Sequence, residues 1–126
     1  MTTPEGRVKK NIRRILDAFD VYYLMPVQMG LGAAGVDFHC VIRFGDMALA
    51  FFIEAKKPGG EPTGRQDNFL GERRDKQCAV TFVIDDDPSI GEGSGEIEKL
   101  VKWLELVEAY NERHDQITAG DVQISG

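Results

Sequence analysis

The sequence predicts an α/β domain in which a central mixed β-sheet is flanked by helices. Residues 5–19 have the apolar spacing of an amphipathic helix. Two strand-like segments, 36–43 and 47–57, then form a hairpin, and a helical segment at 64–76 separates them from a buried strand at 79–84. A hairpin pairs strands antiparallel, whereas a crossover helix pairs them parallel, so the predicted sheet is mixed.

The first helix has an apolar stripe and a basic remainder. The stripe is formed by Val8, Ile12, Ile15, Leu16 and Phe19, and the basic side chains are Arg7, Lys9, Lys10, Arg13 and Arg14. Two interpretations of the basic surface stay open: it is either a solvated face or a face that contacts phosphates.

A short strand over 21–25 ends at Pro26, and a glycine-bearing segment, 27–35, follows it. Gln28 is the one large polar residue of that segment. It either contacts a substrate or caps a turn.

The hairpin predicts that two acidic residues meet. Counting outward from a turn at Gly45 and Asp46 places Asp37 opposite Glu54. Side chains alternate between the faces of a strand, so Glu54 and Lys56 point the same way.

A divalent cation between these carboxylates would explain their position at the end of an apolar strand. Two carboxylates 4 Å apart repel by roughly 4 kcal/mol at an effective dielectric near 20. Hard oxygen ligands suit Mg²⁺ or Mn²⁺, and Lys56 would orient a water or offset phosphate charge. The alternative is that Glu54 and Lys56 form a solvated ion pair.

The remaining elements add further candidates. Gln66 falls in the first turn of the helix at 64–76, where it either holds a phosphate or water or is simply exposed. The acidic run 85–87 is expected to be a solvated turn. A final helix is predicted over 95–113, with an apolar surface wide enough for an oligomer contact or for the back of the core, and residues 114–126 are expected to fray.

Composition bounds the class of protein. The 126 residues predict a single domain, with a core over about residues 4–112. The net charge of -6 argues against a simple nucleic-acid coat protein, although the acidic excess lies in the last third of the chain. No apolar run suggests a membrane span or secretion signal, so a cytoplasmic location is expected. Cys40 and Cys78 lack zinc spacing and are expected to be buried thiols.

The motifs together resemble the PD-(D/E)XK nuclease superfamily, and within it the stand-alone VRR-NUC domains common in phages. The resemblance covers about residues 4–88. The matching stretches are Pro4-Glu5-Gly6, Met25-Pro26-Val27-Gln28, Gly35-Val36-Asp37-Phe38, Ile53-Glu54-Ala55-Lys56-Lys57-Pro58-Gly59-Gly60, Pro62-Thr63 and Gln66. One departure is Val36, where members of the family usually have proline.

The resemblance implies a metal-dependent DNA endonuclease that cleaves branched, flap or Holliday-junction-like DNA and forms homodimers. It implies that Asp37, Glu54 and the Ala55 carbonyl bind one or two Mg²⁺ or Mn²⁺ ions, with help from Glu5. Lys56 would orient the attacking water, and Gln66 matches a glutamine that the family carries in this helix. The residues expected to contact DNA are Lys10, Arg14, Gln28, Lys57 and Arg65. No organic cofactor and no membrane partner are expected.

Two other functions remain open from the sequence. The first is a non-catalytic module on a nuclease fold that binds nucleic acid or protein, which the acidic net charge favours. The second is a phosphoryl hydrolase that acts on nucleotides.

Overall fold

The computed structural model describes residues 3–26, 36–60 and 64–125; the side chains at 65, 66 and 121–125 lie outside that description. Its elements are α1 (Pro4–Ala18), β1 (Tyr22–Leu24), β2 (Phe38–Phe44), β3 (Met47–Ala55), α2 (Gly64–Gln77), β4 (Val80–Ile84) and α3 (Glu96–Ser125). The strands form a four-stranded sheet in the order β1-β2-β3-β4. The predicted α/β class with a mixed sheet flanked by helices is therefore confirmed.

The hairpin and the crossover both form as predicted. Strands β2 and β3 pair antiparallel, from Phe38 opposite Ile53 to Phe44 opposite Met47. Strand β4 lies parallel to β3, and α2 connects the two. The hairpin turn needs a glycine because Gly45 has a φ of 63° and a Cβ there would stand 3.3 Å from the Tyr110 ring.

One face of the sheet carries the hydrophobic core. Alternation directs Phe38, Cys40 and Ile42 of β2, together with Phe51 and Ile53 of β3, to the same side. The apolar residues of α1 and α3 that pack on this side are Val8, Ile12, Leu16, Leu100, Leu104 and Val107. The apolar stripe predicted for the first helix is thus the surface that docks it on the sheet.

Helix α2 covers part of the opposite face. The Phe69 ring of α2 contacts the rings of His39 and Phe52, whose side chains point away from the core. Arg73 lies over the same Phe69 ring, with its guanidinium carbon 4.4 Å from the ring centre.

The expected frayed tail is wrong, because α3 continues well beyond Arg113, to Ser125. Polar residues of α3 hold the hairpin turn. Asn111 Oδ1 accepts a hydrogen bond from the Gly45 N–H at 2.6 Å, and Asp115 pairs with Arg43. The extension could not be predicted from apolar periodicity, because the contacts between α3 and the hairpin are polar and join residues far apart in the chain.

The expected solvated turn at 85–87 is also wrong, because all three aspartates are buried. Asp85 accepts hydrogen bonds from the Gly59 N–H at 3.1 Å and from the Ser94 N–H at 2.8 Å. Asp86 accepts one from the Gly95 N–H at 2.8 Å. The carboxylates satisfy backbone donors of the loops around them, which compensates the cost of burying charge.

The two cysteines differ. Cys40 is buried, and burial raises the pKa of its thiol to about 12. Cys78 is exposed, contrary to the expectation of two buried thiols. It adopts a φ of 54° just after α2, and the following Ala79 N–H donates to the Arg73 carbonyl at 2.8 Å, which ends the helix as a left-handed cap.

Among the described helices, none is both long and apolar enough to cross a lipid bilayer.

Candidate metal centre

Asp37 and Glu54 lie together at the open end of the hairpin. Phe38 pairs with Ile53, so the next step of the register brings Asp37 beside Glu54. The Ala55 N–H donates to Asp37 Oδ2 at 2.9 Å, which fixes the aspartate against the end of β3. The adjacency predicted from the spacing of the sequence is confirmed.

Glu5 joins this pair from the first turn of α1. One carboxylate oxygen each from Glu5, Asp37 and Glu54 lie within 4.8 Å of one another. We call these three residues the carboxylate cluster. Glu54 is only 1% exposed, whereas the other two are half-buried, so the cluster opens to solvent on one side. Three converging carboxylates form the hard oxygen donor set that suits Mg²⁺ or Mn²⁺.

Lys56 lies where strand alternation predicts it. Its Nζ is 3.3 Å from Glu54 Oε1, and its side chain is 15% exposed. The alternative prediction of a solvated ion pair is wrong in one respect, because the pair exists but Glu54 is buried rather than solvated.

Lys9 is a second lysine at the cluster, although its sequence position predicted only a place on the basic surface of the first helix. Its Nζ lies 3.2 Å from Asp37 Oδ1. Lys9 follows Glu5 by four residues, and that spacing places both side chains on one face of a helix. This spacing predicts that Lys9 lies near Glu5. It places Lys9 near Asp37 only when α1 packs with Glu5 facing Asp37.

The environment of Glu54 disfavours its charged form. Burial is the main cause, and the neighbouring Asp37 carboxylate the second, of a rise in the pKa of Glu54 to about 8. Lys56 lowers this pKa but does not cancel the rise. Glu54 therefore releases its proton at a higher pH than an ordinary glutamate does. A divalent cation would bind in competition with that proton.

The other predicted residues lie in different places. Gln28 is outside the described residues. Gln66 and Arg65 are in the first turn of α2, as expected, but their side chains are outside the description. Lys57 is exposed just beyond β3, so its contact with DNA stays a prediction.

Lys10 and Arg14 are exposed on α1, but they do not face the carboxylate cluster. They line a groove on another side of that helix, together with Arg7. Ala55 lies between Glu54 and Lys56 at the end of β3, and the role of its carbonyl as a metal ligand stays a prediction.

His39 shares the face of Asp37 but packs as an aromatic residue. Its ring centre lies 5.3 Å from that of Phe52 and 5.6 Å from that of Phe69. Burial, with a smaller contribution from Arg73, lowers the pKa of His39. Its Nε2 is buried without a hydrogen-bond partner among the described residues, and its packing contacts are with the rings of Phe52 and Phe69.

No family model, no curated protein and no solved structure matches this chain. The resemblance of the sequence motifs to nucleases therefore stays a prediction.

Proposed function

We propose that this protein is a metal-dependent DNA endonuclease of the PD-(D/E)XK type, similar to the VRR-NUC domains. The observation that carries the proposal is the convergence of Glu5, Asp37 and Glu54 within 4.8 Å, with Lys56 Nζ 3.3 Å from Glu54. A carboxylate cluster beside a partly buried lysine matches the chemistry of phosphodiester hydrolysis, which needs an activated water and compensation of charge at phosphorus.

Each residue has a distinct role in this proposal. Asp37 and Glu54 would hold the cation, the Ala55 carbonyl would complete the set, and Glu5 would assist from α1. A bound Mg²⁺ or Mn²⁺ activates water and offsets the negative charge that develops on the phosphoryl group.

Lys56 and Gln66 would contact the attacking water or the phosphate of the substrate. The Lys56 side chain is only 15% exposed, and its ammonium is held near Glu54 rather than moving freely in solvent. From there it would orient the attacking water or neutralise a phosphate oxygen. Branched DNA as the substrate, a homodimer and a cytoplasmic location belong to the same proposal.

A cleavage panel tests this function. The substrates are nicked, flapped, four-way and linear duplexes, with mononucleotides as a further arm, each incubated with Mg²⁺, Mn²⁺ or EDTA. We expect cleavage of branched DNA only with metal, and losses of about a hundredfold or more in Asp37→Asn, Glu54→Gln and Lys56→Ala proteins. Asp46→Asn, which removes an acid at the exposed hairpin turn, is the matched control.

The panel also separates the alternatives. Asp37→Asn and Lys56→Ala proteins as active as the wild type would overturn the proposal. Hydrolysis of mononucleotides without cleavage of DNA would identify a nucleotide hydrolase instead.

A non-catalytic binding module is the second candidate, and a specific observation favours it. Lys9 and Lys56 already lie within 3.3 Å of Asp37 and Glu54, and the raised pKa of Glu54 further reduces the negative charge of the cluster. The carboxylates are thus compensated in part without a cation. Calorimetry distinguishes the two: DNA binding without Mn²⁺ binding supports the module, whereas Mn²⁺ binding that Glu54→Ala abolishes excludes it.

A further inference from the structure

A groove of about 250 Å³ lies between α1 and the turn that follows β4. It is lined by Arg7, Lys10, Asn11, Arg14, Asp87 and Ser89. We call this the α1 groove. Its lining contains three cationic side chains and one carboxylate, so its local charge is positive although the whole chain carries -6.

The carboxylate in the groove is already engaged by its neighbours. Arg7 Nε donates to Asp87 Oδ2 at 2.7 Å, and the Ser89 N–H donates to Asp87 Oδ1 at 3.2 Å. Asp87 is 0% exposed, so the Arg7 guanidinium is anchored at one end to a buried group. An arginine held in this way presents its planar guanidinium in a fixed orientation, which reduces the entropy lost when an anion binds.

Lys10 and Arg14 complete the cationic wall. They are four residues apart, so they lie one above the other on the same face of α1. Both are exposed, and neither forms an ion pair with any residue that the structure describes. Asn11 adds an amide that can donate a hydrogen bond to an oxyanion.

We propose that the α1 groove is a phosphate-binding site that holds a backbone phosphate of DNA across α1 from the carboxylate cluster. The phosphate group itself is recognised by Arg7, Lys10 and Arg14. The choice of DNA as its source rests on the proposed nuclease function, whereas the affinity for a phosphate oxyanion does not.

The position of the groove supports this choice. Glu5 and Arg7 both belong to the first turns of α1, but Glu5 faces Asp37 whereas Arg7 faces Asp87. The width of a helix, about 10 Å, therefore separates the groove from the carboxylate cluster. Each strand of a duplex carries a phosphate at every nucleotide, so one bound strand would present different phosphates to the two sites.

The salt dependence of DNA binding in EDTA tests the proposal without requiring catalysis. Fluorescence anisotropy with a labelled branched duplex gives the slope of log K against log[salt]. We expect the double variant Lys10→Ala/Arg14→Ala to weaken binding about tenfold and to reduce the magnitude of the slope by about 2. Arg13→Ala is the matched control, because it removes a cation from the same helix outside the groove; we expect it to keep the slope of the wild type.

A second arm identifies the source of the phosphate. Inorganic phosphate and a mononucleotide are titrated into the protein while the amide signals of α1 are followed by NMR. Competition between inorganic phosphate and the labelled duplex, lost in the double variant, supports the proposal. Shifts of the α1 signals with no change in the DNA slope would show a site for small phosphates and overturn the choice of DNA.

The remaining outcomes are also decisive. A double variant that behaves like Arg13→Ala, or a wild-type protein that does not bind DNA, overturns the proposal. Failure of the nuclease function gives a different result: metal-dependent cleavage is absent while the double variant still lowers the salt slope. Because Lys10 and Arg14 are exposed, their replacement should leave the thermal unfolding midpoint nearly unchanged, which circular dichroism checks.

Discussion

Lys9 Nζ lies 3.2 Å from Asp37 Oδ1, while the Ala55 N–H donates to the other oxygen of the same carboxylate. Both oxygens of Asp37 are therefore engaged before any cation binds. A Mg²⁺ or Mn²⁺ ion at the carboxylate cluster must share Asp37 with Lys9 or displace it. This relationship makes Lys9 a natural competitor of the proposed metal.

Replacing Lys9 by methionine should therefore tighten Mn²⁺ binding. The substitution removes a positive charge near the cation, and the expected gain is about threefold to tenfold, as for a partly exposed ion pair worth about 1 kcal/mol. Calorimetry without DNA measures the change. Lys10→Met is the matched control, because it removes the same charge from the neighbouring position on another side of α1. Equal Mn²⁺ affinity in wild type and Lys9→Met would contradict this prediction.

Metal affinity should depend on pH through Glu54. The pKa of this carboxyl group is raised to about 8, so below that pH a proton must leave before the carboxylate binds a cation. We expect Mn²⁺ affinity to rise between pH 6 and about 8 and then to level off, with proton release on binding in the lower part of that range. Calorimetry in buffers of different ionisation enthalpy measures that release. A flat profile would show that Glu54 does not take part.

The stability of the metal-free protein should change with pH in the opposite sense. The folded pKa of Glu54, about 8, lies above the ordinary value of 4.5, so the folded state binds more protons between these limits and stability falls as pH rises. Glu54→Gln removes this contribution. Urea unfolding at pH 5.5 and 8 should therefore show the wild type losing stability relative to the variant. A constant difference between the two proteins would refute the shift.

Gly93→Ala should destabilise the loop that follows β4. Gly93 has a φ of 131°, and a Cβ there would overlap the backbone and side chain of Asp86. We expect a loss of about 2 kcal/mol or more in the free energy of unfolding. Gly91→Ala is the control, because its φ of 66° is also unfavourable for alanine but no atom lies within 4 Å of the added carbon. Its cost should be about 1 kcal/mol. Similar losses at both positions would mean that the close approach to Asp86 does not cause the destabilisation by Gly93→Ala.

The predicted homodimer can be tested on α3. Leu106, Tyr110 and Ile117 are exposed, and their spacing places them in one stripe along the helix. If a second copy packs there, Leu106→Glu should convert a dimer into a monomer, as measured by light scattering after gel filtration. Glu108→Lys, a charge change away from the stripe, should leave the dimer intact. A wild-type protein that is monomeric at every concentration tested would exclude the dimer.

The sequence was most informative where geometry is local. A two-residue turn and strict alternation fix the register of β2 and β3, and this register alone brings Asp37 to Glu54. Lys56 follows from the same alternation. The position of Lys9 could not be predicted in the same way, because it depends on how α1 docks against the end of the sheet.

Long-range polar contacts account for the other failures. Asp85 and Asp87 resemble a hydrophilic turn in sequence, but each accepts hydrogen bonds from distant groups, such as Gly59 and Arg7. Beyond Arg113, α3 contacts the hairpin through Asp115, which accepts hydrogen bonds from Arg43. Hydrophobic periodicity contains no information about such partners.

Asp85 makes the backbone near the carboxylate cluster more rigid, because it connects two loops. A single carboxylate fastens Gly59, just beyond the lysines that follow β3, to Ser94, just before α3. The segments that follow β3 and β4 are therefore linked, so their motions are coupled. This link restricts the motion of the backbone that carries Lys56 and Lys57. Hydrogen exchange should reveal the amides of Gly59 and Ser94 as one slowly opening unit, and Asp85→Asn should release both together.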